Sequence, residues 1–194
     1  MPLDNKKTKR IVILGHSGYA GNRLFGYLGK NHPNLDVVGL SSKDIDLTCK
    51  TSVQGIKGYL DDETVVVMCS GIKSNFGDNL DNCMTNIRMA ENVSRVLTER
   101  PVRRFIFFSS IAVYGVFKQD TAITEQTPCE PDTYYGLSKY TSERLFDQAF
   151  SRLQGSSLVH VRTPTIYGPG EKIRAATPSG FLTTYLAGEN VTIW

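Results

Sequence analysis

The sequence predicts an α/β fold, a doubly wound parallel sheet with helices on both faces. Three observations predict it. Short β-branched runs recur along the chain, segments of helical spacing separate them, and a glycine-rich turn joins the first run to the first helical segment. Near-continuous apolar strands are what a parallel sheet covered on both faces requires, and their alternation with helices argues for right-handed β-α-β units.

The first strand is expected over Arg10 to Leu14, followed by a helix over Gly21 to Asn31. A second strand, Leu35 to Leu40, and a third, Thr64 to Cys69, precede a helix over Asp81 to Arg100. In that helix Cys83, Ile87, Ala90, Val93, Val96 and Leu97 recur every three or four residues and form one apolar stripe. The fourth strand runs from Arg104 to Phe108, and Leu145, Phe146, Ala149 and Phe150 give the same stripe to a helix over Tyr134 to Gln154. Leu158 to Val161 is the fifth strand. After the turn Tyr167-Gly168-Pro169-Gly170 a helix around Phe181 to Ala187 leads into Val191-Thr192-Ile193-Trp194, the first half of a further strand. The expected organisation is a basic tail over 1–9, a sheet domain over 10–170, and the start of another lobe over 171–194.

Length and composition suit one globular domain with a full core: 194 residues, 40% hydrophobic and 21% charged. The net charge of +3 is small, and Lys6, Lys7, Lys9 and Arg10 are read as a solvated opening stretch, so no nucleic-acid partner is expected. Cys49, Cys69, Cys83 and Cys129 share no Cys-x-x-Cys spacing and the three histidines are scattered, which points to no metal site and no disulfide framework. Reduced thiols fit the cytoplasm. Apolar runs such as Ile11 to Leu14 fall far short of the roughly 20 residues that span a bilayer, and no membrane partner is expected.

The first strand ends in Gly15-His16-Ser17-Gly18-Tyr19-Ala20-Gly21, a G-x-x-G-x-x-G spacing between strand and helix. Gly15 permits the tight turn, Gly18 lets a pyrophosphate approach the backbone, and Gly21 lets the helix pack close to the strand. The helix N-terminus offers unpaired N–H groups to phosphates. Ser17 and Tyr19 of the same turn complete the expected dinucleotide contacts. A flexible loop is the plain alternative, and the strand-turn-helix context favours the cofactor. His16 is read as a solvent-facing loop residue.

The residues after the second strand select the cofactor. An acidic residue would bind the 2′-hydroxyl of NAD, whereas the chain has Ser41, Ser42 and Lys43, hydroxyls and a cation that accommodate the 2′-phosphate of NADP. NAD or NADP is therefore expected, with NADP favoured. Asp46-Leu47 suits the adenine, the carboxylate for the amine and the leucine for the ring face.

The fourth strand leads into Ser109-Ser110, and the third helix opens with Tyr135-Gly136-Leu137-Ser138-Lys139. Tyr135 and Lys139, four apart, share a helix face. A free tyrosine is too weak a base at neutral pH, and a neighbouring ammonium and an oxidised nicotinamide are together expected to stabilise the phenolate and lower its pKa. Ser110, at a strand's carboxyl end, can hold a substrate oxygen.

The glycine turn, the Ser-Ser strand end and the Tyr/Lys helix, in this order, resemble the extended short-chain dehydrogenase/reductases, the NAD-dependent epimerase/dehydratase group with its Rossmann fold. The resemblance covers Arg10 to Trp194. It implies that Tyr135 is the acid/base, Lys139 its activator and ribose ligand, and Ser110 the substrate-oxygen partner. It likewise implies that Asn86 lies near the cofactor, that Cys69, Ser70 and Gly71 pass the adenosine ribose, and that Val161 to Gly170, with Pro164, closes over the nicotinamide. Thr165 stands where many members have an asparagine.

Dehydratase members place an Asp-Glu pair after the catalytic hydroxyl, where this chain has Ile111-Ala112, so an epimerase or a reductase of a nucleotide-sugar is expected. The two remain open, and a non-catalytic NAD(P)-binding sensor or scaffold is the alternative. Family resemblance further implies a homodimer through the second and third helices, and a substrate lobe mostly downstream of Trp194, which would make this sequence a piece of a longer enzyme.

Overall fold

The computed structural model describes residues 8–116, 122–171 and 178–190. The expected strand over 191–194 and most of the basic opening stretch lie outside the described residues. Lys9 and Arg10 lie inside, and both are ion-paired: Lys9 with Glu63 at 2.7 Å and Arg10 with Asp36 at 2.6 Å.

Five strands form one sheet in the order β2-β1-β3-β4-β5: β1 Arg10–Leu14, β2 Asp36–Leu40, β3 Thr64–Met68, β4 Arg104–Ser110 and β5 Ser157–Thr163. The pairings β1–β2, β1–β3 and β3–β4 are parallel, with Leu14 level with both Leu40 and Met68. Position in the sheet accounts for burial. Central β1 and β3 carry the continuous apolar runs, whereas edge strands β2 and β5 are mostly half-buried. In β4, burial alternates along the strand, and the ladder continues through Ser109 and Ser110, two residues past the end of its aromatic run.

The helices are α1 Tyr19–Asn31, α2 Leu80–Glu99, α3 Tyr134–Phe150 and α4 Pro178–Leu186. Asn79 caps α2 by accepting from the N–H of Asn82, and Thr133 caps α3 by accepting from that of Gly136. α2 turns Met89, Ala90, Val93, Val96 and Leu97 into the core. α3 turns in Phe146 and Phe150, which meet Phe105 of β4 at ring distances of 4.6 and 5.8 Å. These aromatic contacts seat the C-terminal half of α3 on the first half of β4, which leaves the Tyr/Lys end of the helix beside the Ser-Ser strand end.

The chain divides into two compact units, Met1–Arg162 and Thr163–Trp194. The sheet up to Arg162, its three long helices and the residues from Gly15 to Lys139 belong to the first. The second begins ahead of the Tyr167–Gly170 turn and contains Pro164 and α4. No helix among the described residues is long and apolar enough to cross a membrane.

Candidate active site

The glycine turn is built as three different solutions to one packing problem. Gly15 has φ of 88°, and a Cβ there would lie 2.7 Å from the Ser70 hydroxyl and 2.8 Å from its backbone nitrogen. At Gly21 a Cβ would lie 2.4 Å from the Gly15 carbonyl oxygen, so α1 can only rest on the turn without one. Gly18 differs from both. Its φ of −75° suits any residue, and a Cβ would meet nothing nearer than the Gly15 oxygen at 3.4 Å. The fold itself does not require a glycine at 18, as it would be required if another molecule approached the backbone. Gly18 also starts α1 with no side-chain cap, and no acidic residue occupies the first turn. An anion would meet the positive end of the helix there.

Around this turn, Ser17 is exposed and Tyr19 is half-buried beneath the Arg23 guanidinium, 5.7 Å above its ring. His16 does not face solvent as expected. It folds back onto β2, where a Cβ on Gly39 would lie 2.6 Å from its ring, and it tilts against Phe25 at 5.6 Å. The glycine at 39 makes room for it.

At the end of β2, Ser42 and Lys43 are exposed, but both Ser41 donors are already committed. Its N–H and hydroxyl donate to Asp44 Oδ2 at 2.8 and 2.6 Å. Asp46 is exposed and accepts from the N–H and hydroxyl of Thr48, which hold it below the usual carboxylate range. Leu47 turns into the hydrophobic core, its carbonyl held by Asn92 Nδ2 at 2.8 Å.

At the end of β3, Cys69 is half-buried, and burial pushes its thiol up to about 11. Ser70 packs on Gly15, and a Cβ on Gly71 would lie 3.2 Å from Lys139 Nζ. Asn86 clamps the following residue through both ends of its amide: Oδ1 accepts from Ile72 N–H at 2.8 Å and Nδ2 donates to Ile72 O at 2.9 Å. The same Nδ2 lies 3.3 Å from Ser138 Oγ on α3. Asn86 therefore braces the loop after β3 against the Tyr/Lys helix.

Ser110, Tyr135 and Lys139, the candidate catalytic residues, lie close together. The Ser110 hydroxyl lies near enough to the Tyr135 phenol to pull its pKa down, and it accepts from Ala112 N–H at 3.2 Å. Lys139 is only 5% exposed and donates to the carbonyl of Phe108 at 2.8 Å, with its ammonium 4.8 Å from the Phe107 ring and 5.8 Å from that of Tyr135. Burial lowers Lys139 to about 8. The lysine does not by itself lower Tyr135. Burial pushes the phenol above its ordinary value, and the opposing pull comes from Ser110, because the lysine's donor is turned to the Phe108 carbonyl.

Three further residues shape the site without carrying a local signal. Asp78, from the loop ahead of α2, accepts from the N–H groups of Tyr135 at 2.8 Å and Tyr134 at 3.3 Å, placing a carboxylate at the N-terminus of α3. Arg162 on β5 forms a two-point pair with Glu143 at 3.0 and 2.7 Å and donates to Tyr114 Oη at 2.8 Å. Glu143 lies one turn beyond Lys139, and Tyr114 closes the 3-10 turn that starts after Ser110, so Arg162 ties the two halves of the site. Gly136 adds a second tie, since a Cβ there would lie 2.4 Å from the Ala112 oxygen. Elsewhere, His160 pairs with Asp147 at 2.8 Å, Cys129 is half-buried, and Pro164, expected over the nicotinamide, lies in the second unit.

Residues 11–194 match the sequence model of the NAD dependent epimerase/dehydratase family. The chain belongs to that family. A UDP-glucose 4-epimerase of Vibrio cholerae is 28% identical over 194 residues, covering 90% of this chain and 57% of that protein. An N-acetyl-alpha-D-glucosaminyl-diphospho-ditrans,octacis-undecaprenol 4-epimerase of Escherichia coli O157:H7 is 24% identical over 173 residues, 81% of this chain and 49% of its own. This member of the family thus spans about half the length of these relatives. Among solved structures, UDP-glucose 4-epimerase of Thermotoga maritima with UDP-glucose superposes with a TM-score of 0.79 at 18% identity, over 95% of this chain and 65% of that one. The dTDP-4-dehydrorhamnose reductase of Bacillus anthracis in complex with NADP gives 0.74 at 20%, over 95% and 61%. These superpositions establish the Rossmann-type fold.

Proposed function

We propose that this chain is the cofactor-binding part of an NAD(P)-dependent epimerase or reductase acting on a nucleotide-activated sugar. The observation that carries the reading is the pairing of Ser110 with Tyr135 and with buried Lys139 one turn behind it, together with an uncapped glycine turn at the start of α1. The residues fit a dinucleotide. Gly15, Gly18 and Gly21 with Ser17 and Tyr19 would hold its pyrophosphate, Ser70 and Gly71 its adenosine ribose, and Lys139 its second ribose. When bound, the dinucleotide supplies a hydride acceptor and donor. The protein's own part is the proton. Ser110 orients the substrate oxygen, and Tyr135, held protonated by burial, delivers its proton there and recovers it when the direction reverses.

The same three residues serve both reactions, and Ile111-Ala112 after Ser110 offers no carboxylate for elimination. Homodimer formation through α2 and α3 belongs to the same reading, supported by Leu80, Met84 and Leu137 standing exposed on those helices; light scattering checks it. A cytoplasmic location accords with four free cysteines.

The test is Tyr135→Phe in the enzyme carrying its complete substrate lobe. Turnover of UDP-, GDP- or dTDP-sugars should fall by roughly 10²–10⁴-fold while dinucleotide affinity holds. Full activity would remove the catalytic assignment and favour a binding role.

A further inference from the structure

An α-helix leaves the N–H groups of its first turn without partners, and a capping side chain satisfies one of them. In α3 the Thr133 hydroxyl accepts from Gly136 N–H at 3.0 Å, which leaves the N–H groups of Tyr134 and Tyr135. Both are taken by one carboxylate from another part of the chain: Asp78 Oδ1 accepts from Tyr135 at 2.8 Å and Oδ2 from Tyr134 at 3.3 Å. The other side of the Tyr135 backbone is held as well, because Ser138 Oγ donates to its carbonyl at 2.8 Å and accepts from Asn86 Nδ2 at 3.3 Å. Asp78 is in turn fixed to α2. Asn82 Nδ2 donates to the Gly77 carbonyl at 2.8 Å, and Gly77 has φ of 117°, where a Cβ would lie 2.7 Å from Asn79 Nδ2. Ile72, Gly77, Asp78, Asn82, Asn86 and Tyr135 line one cleft with no room for a water molecule.

We propose that Asp78 is a positioning residue for the proton-transferring tyrosine, fixing the start of α3 so that the Tyr135 phenol meets the substrate oxygen beside Ser110 at a set distance. The inference rests on the reading of Tyr135 as the acid/base. Phe146 and Phe150 anchor α3 on the sheet about three turns beyond Tyr135, so the first turn needs an anchor of its own. Helix ends fray, and a misplacement of about 1 Å at a reacting group can cost roughly 10²-fold in rate. A carboxylate suits this task better than an amide. It offers an acceptor oxygen to each of the two N–H groups and sets negative charge at the positive end of the helix. Its bonds to α3 run to main-chain N–H groups, so Asp78 acts through Tyr135.

Steady-state kinetics of the enzyme carrying its complete substrate lobe, on UDP-, GDP- and dTDP-sugars, test it, with urea unfolding to follow the folded fraction. Asp78→Ala should lower kcat by roughly 10–100-fold while KM for the sugar and affinity for NADH or NADPH change by less than about twofold. Asp78→Asn keeps one acceptor and should recover most of the loss, to within about threefold of the unmodified enzyme. On a Tyr135→Phe background Asp78→Ala should cost nothing further, because no phenol remains to be placed. In the 194-residue chain carrying isotope-labelled tyrosine, the ring resonance that Tyr135→Phe removes should shift or broaden in Asp78→Ala. If Asp78→Ala does not fold, Asp78→Asn decides by the same readouts. An unmoved kcat, an unmoved resonance, or a loss repeated in full on Tyr135→Phe overturns the inference and leaves Tyr135 as the acid/base. Full activity in Tyr135→Phe overturns that reading and this inference with it.

Discussion

The ammonium of Lys139 donates to the carbonyl oxygen of Phe108, 2.8 Å away, where β4 runs into Ser109 and Ser110. A helix side chain thus holds the backbone of the strand whose end carries Ser110, and it does so as a nearly fully buried charge.

That charge has a stability cost with a defined pH window. Burial lowers Lys139 to about 8 from 10.5, so between those values the unfolded chain binds more protons than the folded one, and stability rises with pH. Below pH 8 the full penalty applies, on the order of 3 kcal/mol, while removing the ammonium also takes the donor from the Phe108 carbonyl, at about 1 kcal/mol. Lys139→Met should therefore raise stability by about 2 kcal/mol at pH 7, with the gain shrinking toward pH 10.5. Urea unfolding at pH 7 and pH 9.5 measures it. A variant destabilised at pH 7 would show that the ammonium is better compensated than this geometry allows. The same substitution should weaken dinucleotide binding.

Gly18 and Gly21 should separate ligand binding from folding. Gly18→Val puts a branched side chain where the fold has room, so dinucleotide affinity should vanish with the unfolding midpoint little changed. Gly21→Ala drives a Cβ to 2.4 Å from the Gly15 oxygen and should cost stability, by about 1–3 kcal/mol. Calorimetric titration and urea melts of the two variants check the contrast. Unchanged affinity in Gly18→Val would remove the turn from the cofactor site.

The Arg162–Glu143 pair is a two-point ion pair whose carboxylate is buried. Glu143 is 1% exposed, and its hydrogen bonds raise the Arg162 guanidinium further above its already high value. Glu143→Gln strands a half-buried cation and should cost about 3–5 kcal/mol, whereas Glu143→Leu with Arg162→Met should recover much of that loss. Denaturant midpoints of the single and double variants decide it. Equal losses in both would mean that the pair contributes nothing beyond each side chain's packing.

Sequence alone determined the parts written in neighbouring residues. β1 was legible to the residue, and β2 and β3 to within one, because an apolar run bounded by polar residues states its own length. α2 and α3 were legible from their three-to-four periodicity, although α3 ends at Phe150, four residues before Gln154. The packing roles of Gly15 and Gly21 followed from turn chemistry and the shared helix face of Tyr135 and Lys139 from their spacing, while the resemblance to the family brought Ser110 to them.

Tertiary structure decided what depends on packing and solvation. Asp78 reaches the N-terminus of α3 across 57 residues, and Arg162 finds Glu143 and Tyr114 only because β5 lies beside β4 under that helix. His16 lies on Gly39, and Asp44 folds back on Ser41. The direction of each pKa shift was out of reach for the same reason. Spacing places Lys139 beside Tyr135, but burial and the nearest available acceptor, the Phe108 carbonyl, govern what the ammonium does there.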